Sequence, residues 1–418
     1  TSWSQTVSGR PPSRGDGGAP GLFRGLTVLS VEQATALPFM TLRLAQEGMR
    51  VIRVENPPRG DPNRWIGPEV LPGAAPGETE EAMNAYFLPN NLGKESITLN
   101  LATASGRELL HRLVRELPVD IFATNQRGRS YEKLGICYPT LRALKGDLIW
   151  VGITGFGPDH DEAAYDPILQ AKAGWMDLTG EADGPPLVFG LPMVDLGSGE
   201  HAYGQVMKAL YRRAATGAGS RIDVSMYRSA VSWMVSPILL GHSFSLPVKR
   251  RGNTHQFFAP VSVFPTADGW VYLSVGNEGQ WQALVGLPRF ESLARGEYES
   301  NAGRIAAKDQ LNAEVAAIAR GVGTGALTAE LREIGVPVSP VRPLAEVPAD
   351  PLVAGGMIRS QDPRTGVEIA VPGPPVTTDY LRSTGRTMGF PPRLGEHNQA
   401  ILGGLGHDVA DLAAAGVI

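Results

Sequence analysis

A single cysteine, Cys137, is all the thiol chemistry this 418-residue chain holds, so neither an internal disulfide nor a thiolate-rich metal site can form. Its setting, Leu134-Gly135-Ile136-Cys137-Tyr138-Pro139, reads as the start of a helix, where cysteine serves as a small hydrophobe. Long apolar runs are also missing. None approaches the roughly 20 residues a bilayer requires, so a membrane partner is not expected. A surplus of positive charge is absent too: the formal net charge of -4 argues against a general nucleic-acid binder, which needs Lys and Arg to displace counterions. A small polyanion needs only a few local cations and stays open. The seven histidines show no metal-ligand spacing, and no metal is expected. Thr1 to Pro20 is rich in Gly, Pro, Ser and Arg and lacks an apolar segment. It predicts a disordered tail rather than a secretory signal, and the chain as a whole a cytoplasmic enzyme.

What is present is ordinary globular material, 42% hydrophobic and 19% charged, in a length that suits two compact domains. The first half alternates apolar runs and helical patterns: Leu26 to Val31, a helix through Met40 and Leu44, then Val51 to Glu55. Ile97 to Leu101 and the helix Ser105 to Leu117 follow, then Val119 to Ala123 and Leu148 to Ile153. Repeated units of this kind predict an α/β, Rossmann-like, doubly wound parallel sheet. Leu187 to Ala215 reads as a glycine-rich approach to a long helix, and Arg221 to Met234 as a further strand and helix. The texture then changes. Ala267-Asp268-Gly269 is a hairpin turn signal between two apolar runs, and helices are expected at Asp309 to Arg320 and Leu327 to Ile334. A smaller α+β domain is placed there, followed by a Pro-rich linker from Pro337 to Pro351.

The first strand invites a nicotinamide-binding reading, but its loop, Glu32-Gln33-Ala34-Thr35-Ala36-Leu37-Pro38, has no glycine to let backbone approach a pyrophosphate. No Gly-x-Ser-x-Gly elbow exists either. The most suggestive segment is Met193-Val194-Asp195-Leu196-Gly197-Ser198-Gly199, an aspartate at the mouth of the long helix. Its bland reading is an N-cap that accepts from first-turn amides. Its functional reading is an ionised carboxylate beside a helix N-terminus, acting as a covalent nucleophile. The two are compatible.

With Asp195 in view, the chain resembles the family III CoA-transferases, the family of formyl-CoA transferase and carnitine CoA-transferase, from about Gly25 to its end. The markers run in order: Val51-Ile52-Arg53-Val54-Glu55 with Gly60-Asp61, Asn90-Asn91-Leu92-Gly93-Lys94-Glu95-Ser96, Thr154-Gly155-Phe156-Gly157, Tyr165-Asp166, Leu178-Thr179-Gly180, Asp195, Arg251-Gly252-Asn253, and Leu394-Gly395-Glu396-His397-Asn398. The resemblance implies a large domain built from both chain ends with a small one inserted, and two subunits interlocked as a homodimer. It divides the chain into a tail (1–21), the first part of the large domain (22–228), a linker (229–252), the small domain (253–338), a linker (339–355) and the completing part (356–418). It implies that Asp195 carries first an acyl group and then CoA, with Gly197 among the amides that hold the oxyanions. It implies no tightly bound cofactor, an acyl-CoA as donor substrate and a carboxylic acid as acceptor. Family position names Thr35, Lys94, Asn125, Lys133 and Phe156 along the CoA path, with Arg59, Arg64 and Arg127 beside them. Departures are visible in Ala123-Thr124-Asn125-Gln126-Arg127-Gly128, where the asparagine is kept but its neighbours change, and they leave the acceptor open. Two alternatives stand. An α-methylacyl-CoA racemase would need histidine before Asp166, where this chain has Tyr165. A CoA-binding subunit without turnover of its own is the other.

Overall fold

The computed structural model describes residues 21–71 and 83–418, so the tail expected at 1–21 lies, apart from Gly21, outside the described residues. Six short strands make one sheet: β1 Thr27–Val31, β2 Arg50–Glu55, β3 Lys94–Thr98, β4 Val119–Thr124, β5 Ile149–Thr154 and β6 Ser220–Ser225. Their order is β3-β2-β1-β4-β5-β6, and every neighbouring pair is parallel. The mixed α/β class with a parallel sheet follows directly from the apolar runs. β1 and β5 are buried along their whole length, as strands covered on both faces must be. Leu29, Ile52 and Phe122 pack with Leu109, Leu110 and Leu113 of the Ala104–Glu116 helix. Val28, Val51 and Ile121 point to the other face by the strand period of two and are equally buried.

The longest helix, Met193–Thr216, packs on the Ala36–Gln46 helix and on β5 and β6. Gly199 makes that approach possible. A Cβ there would stand 2.9 Å from the Ala36 carbonyl oxygen and 3.3 Å from the Met40 nitrogen, and neither backbone atom has a cheap way to retreat. Gly199→Ala is expected to cost about 1–3 kcal/mol in urea denaturation, and an unchanged midpoint would show that the two helices separate freely.

The chain forms two compact units. One comprises residues up to Ala173, Gly190–Ser236 and Pro351–Ile418; the other comprises Gly174–Phe189 and Pro237–Asp350. In the first, the late segment lies along β3. Asn398 accepts from the Thr98 N–H at 2.9 Å and donates to the Thr98 hydroxyl at 2.8 Å, and the Asn100 N–H donates to the Val417 carbonyl at 2.7 Å. That contact occupies an edge strand which would otherwise offer unpaired backbone. The second unit has an antiparallel sheet in which Trp270–Ser274 pairs with Val261–Pro265 on one side and Val338–Pro340 on the other. Val338–Pro340, expected to open a linker, is therefore a strand: its prolines flank a short edge segment that needs few donors. Trp281, Phe290, Tyr298 and Leu331 fill the core of this unit.

Candidate active site

Beyond the carboxyl ends of β1, β4 and β5 lies a cavity of about 240 Å³, lined by Thr35, Asn125, Thr154, Asp166, Asp195 and Met226 among others. It sits where the sheet order reverses, between β1 and β4, the place at which open α/β sheets receive ligands. A second cavity of about 380 Å³ lies over the ends of β1, β2 and β3, with Glu55, Arg59 and Asn100 on its wall. Gln33 and Gln126 line both, so the two adjoin.

The loop after β1 turns tightly without glycine. Ala34 takes the left-handed conformation, φ 61°, at a cost of about 1–2 kcal/mol for a residue with a Cβ. Two side chains hold it there. Asp61 Oδ1 accepts from the Ala34 N–H at 2.9 Å, and Asn63 Nδ2 donates to the Ala34 carbonyl at 2.8 Å. Asn125 clasps the adjacent residue, accepting from the Gln33 N–H at 3.1 Å and donating to its carbonyl at 2.7 Å. Asn125 thus shapes the cavity wall through the loop.

Asp195 is the third residue of its helix, and Pro192 occupies the cap position. The cap expected of Asp195 is supplied from elsewhere. Asp166 Oδ2 accepts from the Val194 N–H at 2.7 Å and from the Asp195 N–H at 3.0 Å. The Met193 and Leu196 amides donate to the Leu191 and Pro192 carbonyls. All four first-turn donors are thereby occupied. Gly197, the fifth residue, falls inside the intrahelical ladder, which leaves its N–H no access to an oxyanion. Its missing side chain has a different use, since a Cβ would stand 3.2 Å from Trp233 Nε1. Burial, and after it the Asp166 carboxylate, push the Asp195 carboxyl up to about 7. The group is shared between its two protonation states near neutrality, instead of being fully ionised as a helix N-terminus alone would make it.

The other expected site residues separate into two sets. Thr35 and the exposed Arg127 line the smaller cavity, and the exposed Arg59 lines the larger. Lys133 is exposed beside Leu134, itself on the wall of the larger cavity. Phe156 is half-buried against Tyr227, ring centroids 5.6 Å apart. Lys94 and Arg64 are not brought to either cavity. Lys94 is buried and donates to Glu32 at 2.8 Å, the Pro38 carbonyl at 2.8 Å and Asn91 at 3.1 Å, which occupies all three ammonium protons. Arg64 donates twice to Glu55, at 2.8 and 2.7 Å, and once to the Pro392 carbonyl at 3.0 Å, with Phe87 under its guanidinium. Between them lies Arg53, fully buried, paired with Asp61 at 2.7 Å and with Glu55 at 3.1 Å. Three cations and three carboxylates thus compensate one another beneath the loops. Burial pulls Lys94 down to about 8, against the pull of Glu32.

Two residues at the cavity carry more than their sequence setting suggested. Asp166 enters the sequence reading only beside Tyr165 in the family pattern; in the structure it opens one helix and serves the amides of another that begins 27 residues later. The Thr154 hydroxyl, at the carboxyl end of β5, is buried on the cavity wall without a hydrogen-bond partner among the described residues.

The sequence model of CoA-transferase family III matches residues 23–398. Succinate--glutarate CoA-transferase of Agrobacterium fabrum is 32% identical, over 90% of this chain and 94% of that protein. Succinyl-CoA:mesaconate CoA-transferase of Haloarcula marismortui is also 32% identical, over 93% of this chain and 97% of that protein. A crystal structure of a CAIB/BAIF family protein from Brucella suis superposes with a TM-score of 0.80 at 31% identity, covering 92% of this chain and 99% of that one. Sequence and fold agree over nearly the full length: the chain belongs to CoA-transferase family III, and is an acyl-CoA:carboxylate CoA-transferase.

Proposed function

We propose that this transferase moves CoA between dicarboxylic acids, with Asp195 as the covalent carrier. The observation that carries the reading is the Asp195 carboxyl itself, in a cavity at the reversal point of the sheet and half-ionised near neutrality. The two transferases named above act, by their names, on succinyl and glutaryl or mesaconyl groups, which supports a four- or five-carbon dicarboxylate for this chain too.

In this reaction an Asp195 carboxylate oxygen attacks the donor thioester carbonyl. The carbon–sulfur bond breaks, CoA leaves as a thiolate, and an acyl-aspartyl anhydride remains. The thiolate then attacks the aspartyl carbonyl, expelling the donor acid and leaving CoA as a thioester on Asp195. The acceptor carboxylate attacks that thioester, forming a new anhydride and freeing the thiolate. Attack of the thiolate on the acceptor's acyl carbonyl yields the new acyl-CoA and regenerates Asp195. Each step exchanges one activated acyl bond for another, so little free energy is lost provided water is kept out. Because the first-turn amides are occupied, the donor for the developing oxyanion must come from side chains on this wall, where Thr35 and Thr154 lie. Arg59 and the larger cavity take the nucleotide end of CoA, and Gln33 and Gln126 border its path to Asp195. A homodimer with interlocked subunits, in the cytoplasm, completes the proposal. A second copy would cover Trp65, Ile66, Trp233 and Val235, all more than half or nearly half exposed in one chain.

A screen of succinyl-CoA and acetyl-CoA against oxalate, succinate, glutarate, mesaconate and citramalate tests the reading, with intact mass spectrometry to detect CoA on the protein. Transfer among the longer dicarboxylates with a CoA adduct is expected. No transfer and no adduct with any pair would refute it. The pH dependence is fixed by the same group. Attack requires the carboxylate, and with the carboxyl near 7 the ionised share rises roughly tenfold from pH 6 to pH 8. The rate of adduct formation should climb across that window. A flat profile from pH 5 upward would mean that Asp195 is fully ionised throughout.

A further inference from the structure

A carboxylate already occupies the N-terminus of the helix that carries Asp195, and it belongs to a different helix. Asp166 is buried at the start of the Asp166–Lys172 helix and shares the cavity with Asp195. One of its oxygens accepts both the Val194 and Asp195 amides, at 2.7 and 3.0 Å. The other accepts from Gln170 Nε2 at 2.6 Å, one helical turn along. The arrangement has two physical effects. It fixes the backbone of Asp195 from outside its own helix, so the carrier is located by a side chain that takes no part in bond exchange. It also takes the amides that an acid in the first turn would otherwise claim for its own carboxylate.

Resting on the reading of Asp195 as carrier, we infer that Asp166 is a positioning residue that holds Asp195 by its backbone and keeps its carboxylate undercoordinated, hence basic, so that it attacks a thioester effectively. A carboxylate that accepted two helix amides would be stabilised, easily ionised and a poor nucleophile. Asp166 accepts those bonds in its place. Its negative charge acts in the same direction, since two neighbouring carboxylates resist being ionised together. The titratable groups on the cavity wall are Arg127, His160, Glu162, Tyr165 and Asp166, and of these Asp166 is the one whose charge raises the Asp195 carboxyl.

The test is the pH profile of adduct formation at Asp195 in Asp166→Asn, with Asp166→Glu as the charge-keeping control. Asparagine still accepts from a helix amide through its carbonyl oxygen, but the charge is gone. The acid limb is expected to move down by about one pH unit, and the plateau rate to fall about tenfold at an unchanged KM for the CoA donor. Asp166→Glu should keep the limb near that of the parent. An Asp166→Asn profile that overlays the parent in limb and plateau would overturn the inference and leave Asp166 a helix cap only. If Asp166→Asn does not fold, Asp166→Ser carries the test, because it removes the charge and leaves a hydroxyl oxygen that can accept from a helix amide. A several-fold lower kcat at constant KM is expected there, and an unchanged kcat overturns the inference. Failure of the carrier reading is separately visible, as the absence of any adduct on the parent protein.

Discussion

Replacing Asp195 by alanine is expected to abolish transfer, with kcat falling roughly 10⁴-fold or more, and to leave no mass shift when the protein meets its acyl-CoA. The size of the effect follows from covalency. Without the carrier, the acceptor carboxylate would have to attack the donor thioester directly, and the remaining cavity supplies only positioning. The fold should not suffer. Ionising Asp195 inside the cavity is unfavourable, because its carboxyl sits near 7 in the folded chain against an ordinary 3.8. A group raised in this way favours folding below its ordinary pKa, and that contribution is lost as pH rises through 7. Asp195→Ala and Asp195→Asn should therefore match or exceed the parent's melting temperature at pH 8 and gain nothing at pH 4. Undiminished turnover in Asp195→Ala would remove the basis of the mechanism.

The second large effect concerns Lys94, whose family position suggested a contact to CoA phosphate. Its three protons are already engaged by Glu32, Pro38 and Asn91. Lys94→Ala is expected to cost about 3–5 kcal/mol of stability, because Glu32 is left buried with its nearest remaining cation, Arg53, 3.7 Å away. In the protein that folds, KM for the CoA donor should stay within about twofold of the parent. Urea denaturation and steady-state kinetics separate the two roles. A raised KM with an unchanged midpoint would show that Lys94 leaves the network to meet substrate.

The difference between these two residues shows how far the sequence was legible. The inner strands of the main sheet were readable because each is an apolar run bounded by turn residues, and burial on both faces leaves that signature directly. The edge strand expected at Ile97 to Leu101 instead begins at Lys94, because its first residues are polar and their burial is imposed by partners distant in sequence. The place of Asp195 at a helix mouth was readable too, from the small residues around it. Charge pairing was not. Arg53, Glu55, Asp61 and Arg64 lie close in sequence and look like an ordinary solvated surface. Only the return of the Leu88–Asn91 segment and of Pro392 over them makes them a compensated interior. The same limit hid the role of Asp166, since a hydrogen bond between two helices has no local pattern. The loop after β1 shows the converse. Its lack of glycine was visible, but the tight turn it still makes depends on Asp61 and Asn63, supplied from beyond β2.

The segment that lies along β3 has a bearing on how the protein is made. Ser96, Thr98 and Asn100 obtain partners from residues 395–417, roughly three hundred positions later. While the ribosome is still translating the intervening stretch, the parallel sheet must wait with one flank uncovered. The inserted unit, which draws most of its residues from one continuous run, has no such dependence and is free to finish first. A nascent chain halted before residue 395 should therefore expose its earlier half to proteases and chaperones while the later-made unit is already resistant.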